Sequence, residues 1–265
     1  AHTHLTLVQL KSKQITVMSD APDFPKLTGQ TILVLSAGED CDLLRLVQRM
    51  ADEDGRKMIL AYPSNVRFES IQAKLLRFPL PVEFVRTNAV KLGGIAPASM
   101  DGLVCFRTLS AVNAIAGQGL LALHRFFEVL KPGGWLHIEE ELPYYLAAGE
   151  AQQFWAQIRA LVRSAQAFNR SKSVSAYQPE VLESIVERVG FEDIRLEDIT
   201  CLMTREKLWA ETWPQLELLL KNEQDELARK AFSQKADALA SQLDGEGEVE
   251  IPGYRLQANK PWRIE

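Results

Sequence analysis

Leu130-Lys131-Pro132-Gly133-Gly134-Trp135-Leu136-His137-Ile138-Glu139 is the stretch on which the fold turns. Proline has no N–H with which to extend a helix, and it biases the residue before it away from the helical region. Paired glycines lose the most backbone entropy when held helical. Lys131-Pro132-Gly133-Gly134 is therefore a stop signal. Upstream of it, Gln118 to Leu130 carries its apolar residues at helical spacing. Downstream, Trp135 to Glu139 is a short apolar run of strand length. Helix, stop and buried strand make one turn of an α/β repeat.

The rest of the chain repeats it. Thr31 to Leu35 is an apolar, β-branched run that breaks at Ser36-Ala37-Gly38, and Cys41 to Met50 follows with Leu43, Leu44, Leu46 and Val47 at helical spacing. Asp52 to Arg56 reads as a turn. Lys57 to Tyr62 reads as a strand stopped by Pro63, and Ser64 is placed to cap a helix running to about Leu76. Val82 to Arg86 and Gly102 to Phe106 are the next strands. Beyond Glu139, Pro179 to Val189 is a helix ended by Gly190, Phe191 to Ile199 alternates as a strand, and Gly253 to Asn259 alternates as another. This rhythm predicts an α/β fold: a Rossmann-like, doubly wound, seven-stranded and mostly parallel sheet with helical cap insertions. In such sheets ligands bind at the carboxyl ends of the strands, which selects the loops that matter.

Two stretches break the alternation. Ala151 to Phe168 is a long helix, and Thr204 to Leu243 is largely helical, with Trp209 and Trp213-Pro214 inside it. Both read as a lid over the strand ends or as an elaboration packed on the edge. The expected organisation is an N-terminal arm at 1–26, a core at 27–203, a helical insertion or lid at 204–248 and the final core strand at 249–265.

Composition narrows the function classes. The chain has 265 residues, 46% hydrophobic and 25% charged, enough for a sizeable core without metal or disulfide staples. Its formal charge is −5, and Lys and Arg are scattered beside acids, as in Arg205-Glu206-Lys207. Phosphate binding needs clustered cations, so a general nucleic-acid groove is disfavoured. Cys41, Cys105 and Cys201 are odd in number and far apart, which argues against a disulfide framework and a cysteine zinc site. No His, Asp and Glu spacing suggests a metal. No apolar run reaches membrane-spanning length, and a cytoplasmic location is the default.

Leu130-Lys131-Pro132-Gly133-Gly134-Trp135-Leu136 resembles the L-K-P-G-G segment before strand five of class I S-adenosylmethionine-dependent methyltransferases. Gly190-Phe191-Glu192-Asp193-Ile194 is similar to the G-F-x-D-V segment entering their strand six, and Leu256-Gln257-Ala258-Asn259-Lys260-Pro261 to their last strand. Order and spacing agree from about Leu27 to Leu202 and again at the end. The resemblance implies S-adenosylmethionine as cofactor and assigns positions to grip it. Ser36, Ala37 and Gly38 fall in the family's glycine-rich first loop, Tyr62 at the end of strand two, Asn88 and Ala89 after strand three, and Arg107 after strand four.

The motifs also depart from the family's pattern. Val34 stands for the leading acid of the first loop, Ser36 and Asp40 for two of its glycines, and Tyr62 for the acid that binds the ribose hydroxyls. Asp40 either lies beside the ligand or caps the helix that starts near Cys41. Tyr62 either replaces part of the lost ribose bond or fills the ribose position. Asn88 either reads the adenine amino group or forms a turn. Arg107 would repel a sulfonium and suit a carboxylate or an anionic substrate.

Methyl transfer from a sulfonium needs alignment above all, and a base only where the nucleophile must lose a proton. His124, His137 and Glu139-Glu140-Glu141 are the candidates for that role. His137, inside a buried strand, reads as a satisfied core histidine, and His124 as a helix-surface or packing residue. The three glutamates form either a pocket wall or a solvated loop. The first functional reading is thus a methyltransferase acting on a small organic molecule. The alternative is a methyltransferase-fold protein without methyl transfer: a pseudoenzyme, an assembly subunit or a repurposed enzyme. A methyltransferase acting on RNA or protein is a third. Homo- or hetero-oligomeric partners stay open.

Overall fold

The computed structural model describes residues 24–36, 41–62, 68–113, 115–146, 149–169, 176–243 and 248–262. The expected arm at 1–26, apart from its last three residues, lies outside them, as do Ala37, Gly38 and Asp40, the side chain of Cys41, and the Ser64 cap. The described residues divide into two compact units. One takes in those of Asp23–Glu141, Val174–Glu197 and Tyr254–Glu265, the other those of Leu142–Ser173 and Asp198–Gly253.

Seven strands form one sheet in the order β3-β2-β1-β4-β5-β7-β6. They are β1 (Thr31–Ser36), β2 (Lys57–Tyr62), β3 (Val82–Arg86), β4 (Met100–Phe106), β5 (Leu130–Glu141), β6 (Glu192–Thr204) and β7 (Glu248–Asn259). β3, β2, β1, β4 and β5 pair in parallel. β7 runs against its neighbours: Gly133 N–H donates to Lys260 O while Leu142 N–H donates to Pro252 O. On its other side, Asn259 meets Asp193 and Arg255 meets Glu197. Central and edge strands differ as their sequences require. The run Ile32-Leu33-Val34-Leu35 is buried throughout, as suits a strand covered on both faces, whereas β3 and β6 are half-exposed.

Helices connect the strands: α1 (Cys41–Asp52), α2 (Phe68–Leu75), α3 (Leu109–Val112), α4 (Gln118–Val129), α5 (Glu150–Phe168), α6 (Pro179–Val189), α7 (Arg205–Asn222) and α8 (Glu226–Ala240). In the first unit, Leu43, Leu46, Val47 and Met50 of α1 lie on one face of the helix. They pack on Ile32, Val34, Met58, Leu60 and Val104, all buried. Each such side chain contributes about 1.5–3 kcal/mol on burial. In the second unit, Phe154, Trp155, Ile158, Leu161, Val162 and Ala165 of α5 share a core with Leu208, Leu216 and Leu219 of α7, Leu239 of α8 and Val249 and Ile251 of β7.

Several elements differ from the sequence reading. Lys131–Gly134 is part of β5. Met100 pairs with Leu130 and Gly102 with Trp135, so the segment bulges out of the β4 ladder while Gly133 and Gly134 bond to Lys260 of the chain after β7. The stop is real for α4, which ends at Val129, but the chain re-enters the sheet at once. The strand expected over Phe191 to Ile199 extends to Thr204, and the last strand starts at Glu248 rather than Gly253. The helical stretch from Thr204 is two helices, each capped by its own side chain: Thr204 Oγ1 accepts from Lys207 N, and Asp225 Oδ1 from Ala228 N. The short α3 carried no sequence signal. Among the described residues, no helix is long and apolar enough to cross a membrane.

Candidate functional site

The parallel register sets the site residues in a row. Leu35 pairs with Ala61 and Ser36 with Phe106, while Tyr62 pairs with Arg86. Asn88, Tyr62, Ser36 and Arg107 thus stand at the carboxyl ends of β3, β2, β1 and β4, all within the first unit. Neighbouring strands lie about 4.8 Å apart, so the row spans about 15 Å. Ser36 is 6% exposed and Ala89 2%, whereas Tyr62 is half-buried. Asn88 is exposed, and its Oδ1 accepts from Lys91 N at 2.9 Å, closing a turn. That use takes the amide oxygen and leaves the amide nitrogen as the group able to donate outward.

The turn after β4 is tied on every side. Arg107 has φ +47°, a region that residues with a Cβ rarely adopt. Its N–H donates to Glu139 O at 2.8 Å. Thr108 Oγ1 donates to Phe106 O at 2.9 Å. Glu140 Oε1 accepts from Leu109 N at 2.7 Å and Ser110 N at 3.2 Å. The Arg107 guanidinium lies 3.8 Å from Glu141 Oε1, both side chains being partly exposed.

The three glutamates at the end of β5 divide between the two faces of the sheet, as strand alternation demands. Glu139, 3% exposed, accepts from Arg255 Nε at 2.9 Å and meets His137 Nε2 at 2.9 Å. Burial alone would raise its pKa, but the bonds from His137 and Arg255 overcome this and hold it below the ordinary carboxylate range. His137 is fully buried, with Gln257 at its other ring nitrogen. Burial holds its pKa down against the pull of Glu139. Glu140 faces the opposite side, and burial pushes its pKa up to about 7 against the bonds from Ser110 and Leu109. Neither Glu139 nor Glu140 is a solvated loop charge, and Glu139 is consumed by an ion-pair network rather than presented to a pocket. His124 is exposed on α4.

Several contributors escaped the sequence reading. Arg255 sat in an alternating strand with a partner 116 residues away. Only its charge, unusual between Tyr254 and Leu256, hinted that an acid must face it. Tyr254 and the Nη2 atom of Arg255 are buried, and neither the Tyr254 hydroxyl nor that nitrogen has a hydrogen-bond partner among the described residues. Lys260, read only as part of the last strand, donates to Phe127 O and Leu130 O and pins the end of α4. A cavity of about 360 Å³ lined by Phe24, Trp135, Arg195 and Gln257 lies beside the first half of β5. It includes none of the residues at the carboxyl ends.

No protein-family model and no curated protein sequence matches this chain. Solved structures do. A putative methyltransferase from Bacillus halodurans matches with a TM-score of 0.55 at 13% identity, over 96% of this chain and 98% of that one. Phosphoethanolamine N-methyltransferase 2 of Haemonchus contortus, in complex with phosphomonomethylethanolamine and S-adenosylhomocysteine, matches with a TM-score of 0.51 at 17% identity. It covers 89% of this chain but 50% of its own, so this chain spans about half the length of the worm enzyme. The [4+2]-cyclase SpnF matches with a TM-score of 0.50 at 19% identity, over 97% of this chain and 81% of that one. One architecture serves methyl transfer in one of these proteins and a cyclisation in another, so the likeness speaks to architecture and not to reaction. With strand order β3-β2-β1-β4-β5-β7-β6, an antiparallel β7 and these neighbours, the chain has the class I S-adenosylmethionine-dependent methyltransferase fold.

Proposed function

We propose that this protein is an S-adenosylmethionine-dependent methyltransferase acting on a small organic molecule. The observation that carries the reading is the row of Asn88, Tyr62, Ser36 and Arg107 on four adjacent parallel strand ends, where this fold binds its ligands. Their chemistry fits the cofactor. A hydroxyl at Ser36 and a phenol at Tyr62 suit ribose hydroxyls, the Asn88 amide suits adenine, and the Arg107 guanidinium suits a carboxylate. When bound, S-adenosylmethionine supplies an electrophilic methyl group on a sulfonium. Ala37 and Gly38 complete the proposed set in the first loop.

The chain's own residues orient and exclude. Tyr62 and Ser36 fix the sugar end and Asn88 the base, while Arg107 draws the amino-acid end toward β4. Alignment of acceptor and methyl is the main requirement, and it is met by holding both partners. A small substrate accords with the net charge of −5 and the dispersed cations.

Titration calorimetry with S-adenosylmethionine and S-adenosylhomocysteine tests the reading. Binding in the micromolar to millimolar range is expected, weakened about tenfold in Arg107→Ala. A chain that takes up no cofactor at millimolar concentration sinks the proposal. Steeply salt-dependent RNA binding would overturn the small-molecule part alone.

A further inference from the structure

Glu140 is set apart from the acids beside it. Glu139 and Glu141 share a face with Arg255 and Arg107, each of which pairs with one of them. Glu140 lies on the other face, 3% exposed. The groups around it there are the Cys105 thiol of β4, the Tyr254 phenol of β7 and the Ser110 hydroxyl of α3, with Glu141 next along its own strand. None of these carries a positive charge. A buried carboxylate is costly unless it is bonded, so its bonds define what it does. They go to the backbone N–H groups of Leu109 and Ser110, two and three residues after Arg107.

Those bonds close one end of a strained turn. Arg107, at φ +47°, is tied by its own N–H to Glu139 O, and Thr108 is tied to Phe106 O. Without the Glu140 contacts the first two amides of α3 lose the side chain that holds them, and Arg107 is released toward an ordinary backbone conformation. Its guanidinium then leaves β4 in another direction. We infer that Glu140 is a positioning residue: by holding the Leu109 and Ser110 amides it fixes the left-handed turn at Arg107, and so decides where that guanidinium is presented at the strand ends. The inference deepens the reading of Arg107 as a binding residue and rests on it. What it adds is a control of the site from the opposite face of the sheet.

Nuclear magnetic resonance of the ligand-free full chain tests this without any substitution. Glu140 changes charge near pH 7, so the backbone amide signals of Leu109 and Ser110 should titrate there together with the side-chain Nε signal of Arg107. Glu140→Gln should abolish all three titrations. Binding supplies the second measurement. Glu140→Gln should weaken S-adenosylhomocysteine about tenfold, and the double variant with Arg107→Ala should bind no more weakly than Arg107→Ala alone. Glu140→Asp, which keeps the charge, should recover part of the loss. Additive losses overturn the inference. So does an Arg107 signal that ignores pH while Leu109 and Ser110 titrate, because Glu140 then only caps a helix. A chain whose three signals titrate together but which binds no S-adenosylhomocysteine supports the positioning role and sinks the methyltransferase reading instead.

Discussion

At the scale of single residues, the ionic ladder built on buried Arg255 and Glu139 carries a testable stability cost. Arg255 lies between Glu139 and Glu197, with His137 at the far side of Glu139. Breaking one member of a buried pair leaves the other charge uncompensated, which costs about 3–5 kcal/mol. Glu139→Ala should therefore lower the unfolding free energy by that amount in urea titration. Glu139→Leu combined with Arg255→Met should recover most of the loss, since it removes both charges. If the double variant were as unstable as the single one, the loss would lie in packing and not in charge. A linear reading cannot assemble this ladder, because its charged members come from three strands that become neighbours only in the sheet.

At the scale of elements, the bulge before β5 shows what a motif means once it is folded. Gly102 has no Cβ because Trp135, its partner in register, lies across it: an added Cβ would sit 2.2 Å from the indole ring. The indole N–H is held by Gln30 Oε1 at 2.9 Å, so the ring is not free to swing aside. Gly102→Ala should destabilise the chain by about 1–3 kcal/mol and shift the tryptophan fluorescence as the ring is displaced. An unchanged melting temperature would mean that the ring moves at no cost. The stop at Lys131–Gly134 was plain from proline and glycine chemistry, and Gly190 at φ +110° ends α6 where expected. The extension of β6 to Thr204 and of β7 back to Glu248 was not plain. It depends on pairing such as Leu142 N–H with Pro252 O, more than a hundred residues apart.

At the scale of the whole molecule, two buried groups pull stability in opposite directions with pH. Glu140 keeps its proton to about 7 when folded and loses it near its ordinary value of 4.5 when unfolded. Between those values the folded chain binds more protons, so its stability falls as pH rises, by on the order of 3 kcal/mol. His137 acts in the other sense. Burial holds its folded pKa below 6.5, so the unfolded chain takes up its proton first and stability falls as pH drops below that value. Glu139, held low by His137 and Arg255 in spite of its burial, adds to the loss in acid as pH falls through its folded pKa. Unfolding titrations of wild type and Glu140→Gln between pH 4.5 and 8 isolate the first effect. The variant should gain on the wild type by roughly that amount across the range. A difference that does not change with pH would show that Glu140 titrates in the folded chain as it does in the unfolded one.

The sequence by itself determined the class of fold and where to look. Strand runs, helix spacings and the glycine and proline stops are local, and local chemistry suffices to read them. The resemblance to class I methyltransferases pointed to Ser36, Tyr62, Asn88 and Arg107, each at the end of a strand or just after it. The tertiary structure decided what the glutamates of β5 do. Alternation told that neighbours face opposite ways, but not that Arg255 waits on one face and the Leu109 and Ser110 amides on the other. Those partners are brought up by β7 and by the turn after β4, and a side chain's role in a buried site is set by whichever groups the fold places within hydrogen-bond reach.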